Sequence, residues 1–256
     1  MCATITTMEQ KMDKHISEFD KYVQTYDLTD SSIDRKWTHS KRVSDVAAEI
    51  ANSEKLLPED VYLAQVIGLL HDIARFEQWT TLKIFQDSDK FNHSTVGAKM
   101  LFDDKLVDRF AIDEKHYNTI RFAVANHGLF KIVYTDDTHA MMHAKLVRDA
   151  DKLDLFYQII INTLPLANFE YSGDGASLPV VTGHINREMV HNKDVRTPLD
   201  RALMQLAWAY DLNFDYSKKL YVSKYLDDIV ASYSEILNES DLKVLQTFAN
   251  TQKEFL

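Results

Sequence analysis

The chain has 256 residues, with 29 Lys plus Arg against 39 Asp plus Glu, and the resulting net charge of −10 disfavours nonspecific binding to nucleic acid or an anionic membrane. Its single cysteine, Cys2, excludes an intramolecular disulfide, and no stretch approaches the ~18 consecutive apolar residues of a membrane span. The first residues, Met1 to Lys11, carry no continuous apolar run of the secretory kind, so the expected compartment is the cytoplasm.

With 6 Gly and 4 Pro, chain breakers are scarce and the expected class is all-α. Residues 8–26 place Met12, Ile16, Phe19 and Val23 at helical spacing, and residues 38–51 do the same with Val43, Val46, Ala47 and Ile50. Pro58, Glu59 and Asp60 make a good first turn for a helix that ends in the apolar run Val66 to Ile73. Further helices are predicted at 92–103, at 114–127 with Gly128 as its C-cap, and at 138–160. Residues 162–197 break the rhythm. Asn162-Thr163-Leu164-Pro165, Tyr171-Ser172-Gly173-Asp174-Gly175 and Leu178-Pro179-Val180-Val181 read as turns with a short hairpin, followed by His184, Arg187 and His191. A connection of this length suggests a lid or a wall of a substrate pocket. Helices at 198–212, opened by Thr197-Pro198, and at 217–237 and 240–254 complete the pattern. The expected organisation is one domain over 1–256: a core at 35–160, an irregular insertion at 161–197 and C-terminal helices at 198–256 packed on that core.

His71 and Asp72 interrupt the apolar run Val66 to Ile73, where polar side chains have no packing reason to occur. Buried ionisable groups are costly unless paired, and a neutral imidazole beside a carboxylate suits a divalent cation. Asp72 projects about 100° away from His71 around a helix, so an ion between them must also draw ligands from elsewhere. His39 and Asp151, on two other predicted helices, complete a set of four, and His93 and His127 lie between them in sequence. Arg75, one helical turn after His71, is placed either to clamp a phosphate as a catalytic and substrate-binding group or to pair with Glu77 or Asp72. Lys152 is open to the same two readings, substrate phosphate or an ion pair with Asp149 or Asp154. Phe76, Trp79, Phe85 and Phe91 are read as core or as a platform for a base. His15, His116, His139 and His143 are expected to be solvated helix residues; His139 and His143 are four apart, but no acidic third ligand is evident.

His39-Ser40 followed by a helical stretch, then Leu69-Leu70-His71-Asp72-Ile73, then Ala150-Asp151-Lys152-Leu153-Asp154 resemble, in order and in local context, the HD superfamily of metal-dependent phosphohydrolases. The resemblance covers roughly residues 35 to 160. It implies an all-α HD-domain bundle that hydrolyses a phosphoester or phosphoanhydride of a small phosphorylated metabolite, a nucleotide being the best guess. The cofactor implied is one or two divalent ions (Mn, Fe, Mg, Ni, Co or Zn) on His39, His71, Asp72 and Asp151, with Asp72 bridging to a second ion on His93 and His127. Binuclear relatives often carry His-His where this chain has Asn126-His127, so His93 and His127 are read either as ligands or as phosphate contacts. Two other classes stay open: a regulatory module that binds without turnover, and a binuclear-iron oxygenase using the same ligands.

Overall fold

A computed structural model describes residues 2–164 and 171–256, with side chains from residue 8 onward; Pro165, in the first of the expected turns, lies outside the described residues. The described residues are helical, and the only β pairing among them is an isolated bridge between Ser88 and Phe91. The chain divides into two compact units, 1–151 and 152–256, with the division inside one long helix.

In the first unit, α1 (Cys2–Val23) buries Met12, Phe19 and Val23. Helix α2 (Ser31–Ser53) begins well before the predicted start at 38. Asp30 caps it by accepting from the Ser32 N–H, and its buried face runs through Ile33, Lys36, His39 and Val43. A lysine on that face hid the earlier start, because periodicity counts it as polar. Helix α3 (Pro58–Leu70) is buried almost all round from Tyr62 to Leu70, as befits a core helix. A Cβ on Gly68 would lie 2.8 Å from Ser44 Cα, so α2 and α3 pack backbone against backbone between His39 and His71.

At His71–Ile73 the chain bends through three-residue hydrogen bonds, Ile73 N–H to Leu70 carbonyl and Arg75 N–H to Asp72 carbonyl. It re-enters a short helix, α4 (Ala74–Leu82), that the sequence pattern does not separate from α3. Helix α5 (His93–Phe102) is capped by Asn92, which accepts from the Thr95 N–H. Helix α6 (Tyr117–Asn126) follows a 3-10 turn at Glu114–His116, and α7 (Thr138–Ile160) has the predicted bounds. His15, His116 and His143 are buried rather than solvated. Phe76 belongs to the core, edge-on to Phe19 and Tyr22.

In the second unit the segment read as a hairpin at 178–181 is the start of α8 (Leu178–Asn186), with Pro179 in its first turn, where a missing N–H costs nothing. Helix α9 (Pro198–Ala207) carries a reciprocal capping box between Thr197 and Asp200. Helices α10 (Asp215–Leu220) and α11 (Leu226–Ser232) are joined by a π turn at Tyr221–Tyr225, and α12 (Glu239–Phe255) follows. His184 points into this unit, its Nε2 2.8 Å from the Leu203 carbonyl. No helix among the described residues is long and apolar enough to cross a membrane.

Candidate metal centre

Helices α2, α3, α5, α6 and α7 each bring one or two of the predicted ligands to one place in the first unit. Oδ2 of Asp72 lies 3.4 Å from His39 Nε2 and 3.6 Å from His71 Nε2, while Asp151 Oδ1 lies 3.3 and 3.7 Å from the same two nitrogens. On the other side of the carboxylate, Asp72 Oδ1 is 3.4 Å from both His93 Nε2 and His127 Nε2. The two oxygens of Asp72 therefore face two separate nitrogen sets.

Hydrogen bonds behind the rings fix which nitrogen faces inward. His71 Nδ1 donates to the Gly68 carbonyl at 2.7 Å, and His127 Nδ1 to the Val124 carbonyl at 2.7 Å. His93 Nδ1 is 2.5 Å from the Asp87 carboxylate. With Nδ1 carrying the proton, each Nε2 presents a lone pair. Burial pushes His93 down to about 3, aided by the nearby Arg75 charge, and lowers His127 as well, so both rings are neutral at pH 7. Yet His93 Nε2 and His127 Nε2 are 3.0 Å apart, and both face a carboxylate oxygen. Lone pairs that converge in this way in a dry site need a cation to hold them.

The fit to a divalent ion is good. His71 Nε2 and Asp72 Oδ1 are buried with no hydrogen-bond partner. Ligand atoms about 2.1 Å from one ion in tetrahedral directions lie about 3.4 Å apart, close to the separations around each Asp72 oxygen. Two triads have ligand atoms close enough to share an ion, His39-His71-Asp151 and His71-Asp72-His127. Burial alone would raise Asp72 and Asp151. The Lys36 ammonium and His71 hold Asp72 well below the usual carboxylate range, and the facing His39 and His71 rings do the same for Asp151, so both are anionic.

Several neighbours of the centre are absent from the sequence reading. The Lys36 ammonium, buried on the face of α2 that carries His39, is 2.6 Å from Asp72 Oδ2. Its spacing of three from His39 is a helical-face signal visible in the sequence. Asp87 holds His93 by both backbone N–H and ring, and also meets Arg75 and Gln78. It sits in a loop, where no periodicity marks it. Arg35, Lys36 and Arg75 all lie over the Phe85 ring, with cation-to-centroid distances of 5.0, 5.5 and 5.8 Å. Phe85 stacks on Trp79 at 4.8 Å.

Arg75 Nε is 3.5 Å from Asp72 Oδ1, but its Nη1 is engaged by Gln78, the Phe85 carbonyl and Asp87, so it laces the 85–87 loop to α4. Lys152 belongs to the second unit, where its ammonium lies 2.7 Å from Asp211. Arg148, fully buried, gathers the Asn126 and His127 carbonyls at 3.0 Å each and so closes the end of α6 that carries His127. Gly128 is not a left-handed cap. A Cβ there would sit 2.6 Å from the His93 ring and 2.4 Å from Ser94 Oγ, so the position is glycine because His93 passes over it.

Residues 37–155 match the family model of the HD domain, a span that contains every residue of the cluster. No curated protein and no solved structure matches the chain.

Proposed function

Residues 37–155 match the HD domain, and we propose that the chain is a metal-dependent phosphohydrolase that hydrolyses a phosphoester or phosphoanhydride of a small phosphorylated metabolite, a nucleotide by preference, at a two-ion centre. The observation that carries this reading is the division of Asp72. One oxygen faces His39 and His71, with Asp151 beside them, and the other faces His93 and His127. His39, His71 and Asp151 would hold one ion, His93 and His127 the other, and Asp72 both. Divalent ions so held supply a water of lowered pKa and offset the charge that grows on the phosphoryl oxygens.

The protein's own part is orientation and charge. The Gly68 and Val124 carbonyls and the Asp87 carboxylate keep three imidazoles with Nε2 bare and aimed inward. Lys36 and Arg35 beside the Asp72 carboxylate provide positive charge for the incoming phosphate in a chain that is acidic overall. Arg75 acts as a positioning residue: by gripping residues 85–87 it holds Asp87 on His93 and holds Phe85 among the cations. Phe85 and Trp79, stacked on each other beside these cations, are the aromatic side chains that would meet a base.

The test is a screen of phosphomonoesters, phosphodiesters and nucleotides with Mn²⁺, Co²⁺ or Ni²⁺ added, run on wild type and Asp72→Asn. Metal-dependent phosphate release that disappears in Asp72→Asn is expected. Metal bound at the cluster with no turnover of any phosphate class would point instead to a binding module.

A further inference from the structure

A second group of ligating side chains lies in the first unit, sharing no residue with the Asp72 cluster. His139 and His143 occupy successive turns of α7, and Asp60 lies in the first turn of α3. Asp60 Oδ1 is 2.7 Å from His139 Nε2 and 3.4 Å from His143 Nε2, and the three ligand atoms fall within 4.8 Å of one another. His143 is only 1 % exposed, yet its Nδ1 has no hydrogen-bond partner. The His139 side chain is 46 % exposed, so the group opens to solvent on one side.

A single carboxylate oxygen here serves two imidazoles, and the nearer ring has it at hydrogen-bond distance. His143 Nε2 shares that oxygen only at a long 3.4 Å, so the inward nitrogen of a buried ring lacks a full partner of its own, a costly arrangement unless an ion joins the three groups. Two imidazoles at i and i+4 with one carboxylate and an open side match the donor set of a borderline cation, with water completing the coordination. Behind His139, Thr119 Oγ1 lies 3.4 Å from Nδ1, the outer-shell contact that leaves Nε2 to face the ion.

We propose that Asp60, His139 and His143 form a second, separate metal site for a zinc-class divalent cation (Zn²⁺, Co²⁺ or Ni²⁺), clasping the start of α3 to the start of α7. His143 and Asp151 are eight positions apart on α7, about 12 Å along the helix axis, so an ion here is not a ligand-sharing neighbour of the Asp72 centre. The same two helices supply His71 and Asp151 to that centre further along. The clasp therefore fixes the relative placement of two catalytic helices from a distance. Binding exchanges the proton between His139 Nε2 and Asp60 for the ion and releases it to solvent.

The test uses the full chain, stripped with chelator, reloaded with excess Zn²⁺ and freed of unbound metal, with zinc per chain counted by mass spectrometry for wild type, His139→Ala and Asp60→Asn. His139 is half exposed, so His139→Ala is expected to fold, and circular dichroism checks that it does. Each variant should hold one zinc fewer than wild type. Loss of an outer-shell partner alone weakens metal binding 10–100-fold, so removing the ligand His139 should weaken that equivalent by about 100-fold or more. Equal zinc content in folded wild type and His139→Ala would overturn the proposal and leave an ion-paired His-Asp group. Loss of more than one equivalent would overturn the claim that the site is separate.

Discussion

His184 in the second unit and His71 and His127 in the first are all buried, and each rests one ring nitrogen on a backbone carbonyl. Burial pushes His184 down to about 4 and also lowers His127. The difference lies in the second nitrogen. In His184 it meets the Tyr210 hydroxyl at 3.0 Å, which completes the ring's hydrogen bonding. In His71 it has no partner, and in His127 it points at the lone pair of His93 and at Asp72. Burial alone thus does not separate His184 from the clustered rings; what separates them is that the second nitrogen of His71 and of His127 faces carboxylates or another imidazole rather than a hydroxyl.

The comparison can be broken first at Asp72. Asp72→Asn should abolish loading of the centre by manganese and lower phosphate release by at least about 10³-fold, the upper range for removing one preorganised electrostatic group; full manganese content in the variant would contradict the assignment. Next come His93→Ala and His127→Ala. Each should remove one equivalent of manganese and spare the ion at His39, His71 and Asp151, whereas unchanged metal content with a raised KM would make them phosphate contacts. Gly128→Ala should act like a milder His93 variant, because its Cβ displaces the His93 ring, and should cost about 1–3 kcal/mol in overpacking as read by denaturant unfolding. Asp87→Asn should weaken the second ion about 10–100-fold through the orientation of His93, read by metal titration.

His184→Gln is the control from the second unit, and it should leave metal content unchanged. His184 has a folded pKa of about 4 against an ordinary value near 6.5. The unfolded chain therefore binds the extra proton first as pH falls, and the contribution of His184 to stability is present above about pH 6.5 and lost progressively towards pH 4. Stability of His184→Gln should accordingly vary less than wild type across that window, measured by urea unfolding at pH 7, 5.5 and 4.5. An identical pH slope would place the His184 ring in water.

The residues that meet around Asp72 were legible in the sequence because chemistry interrupts pattern there. His71-Asp72 stands inside an apolar run, and His39, His93, His127 and Asp151 lie on or beside strongly periodic helices. Lys36 was hidden because a buried lysine counts as polar in a periodicity, which also obscured the start of α2. Asp87 was hidden because its role depends on a loop conformation set by Arg75 and Gln78, contacts that no local pattern encodes. Asp60 was read only as a first-turn acid; that it meets His139 and His143 is a tertiary fact, 79 residues apart for the nearer pair. The helix at 178–186 was misread because Pro179 signals both a turn and the first turn of a helix.

The central claim is that the two oxygens of Asp72 serve two ions, and anomalous diffraction from crystals grown with saturating Mn²⁺ tests it most directly. Two manganese peaks are predicted, one among His39, His71 and Asp151 and the other beside His93 and His127, with Asp72 between them. A single peak at the cluster under saturation, or none, would contradict it.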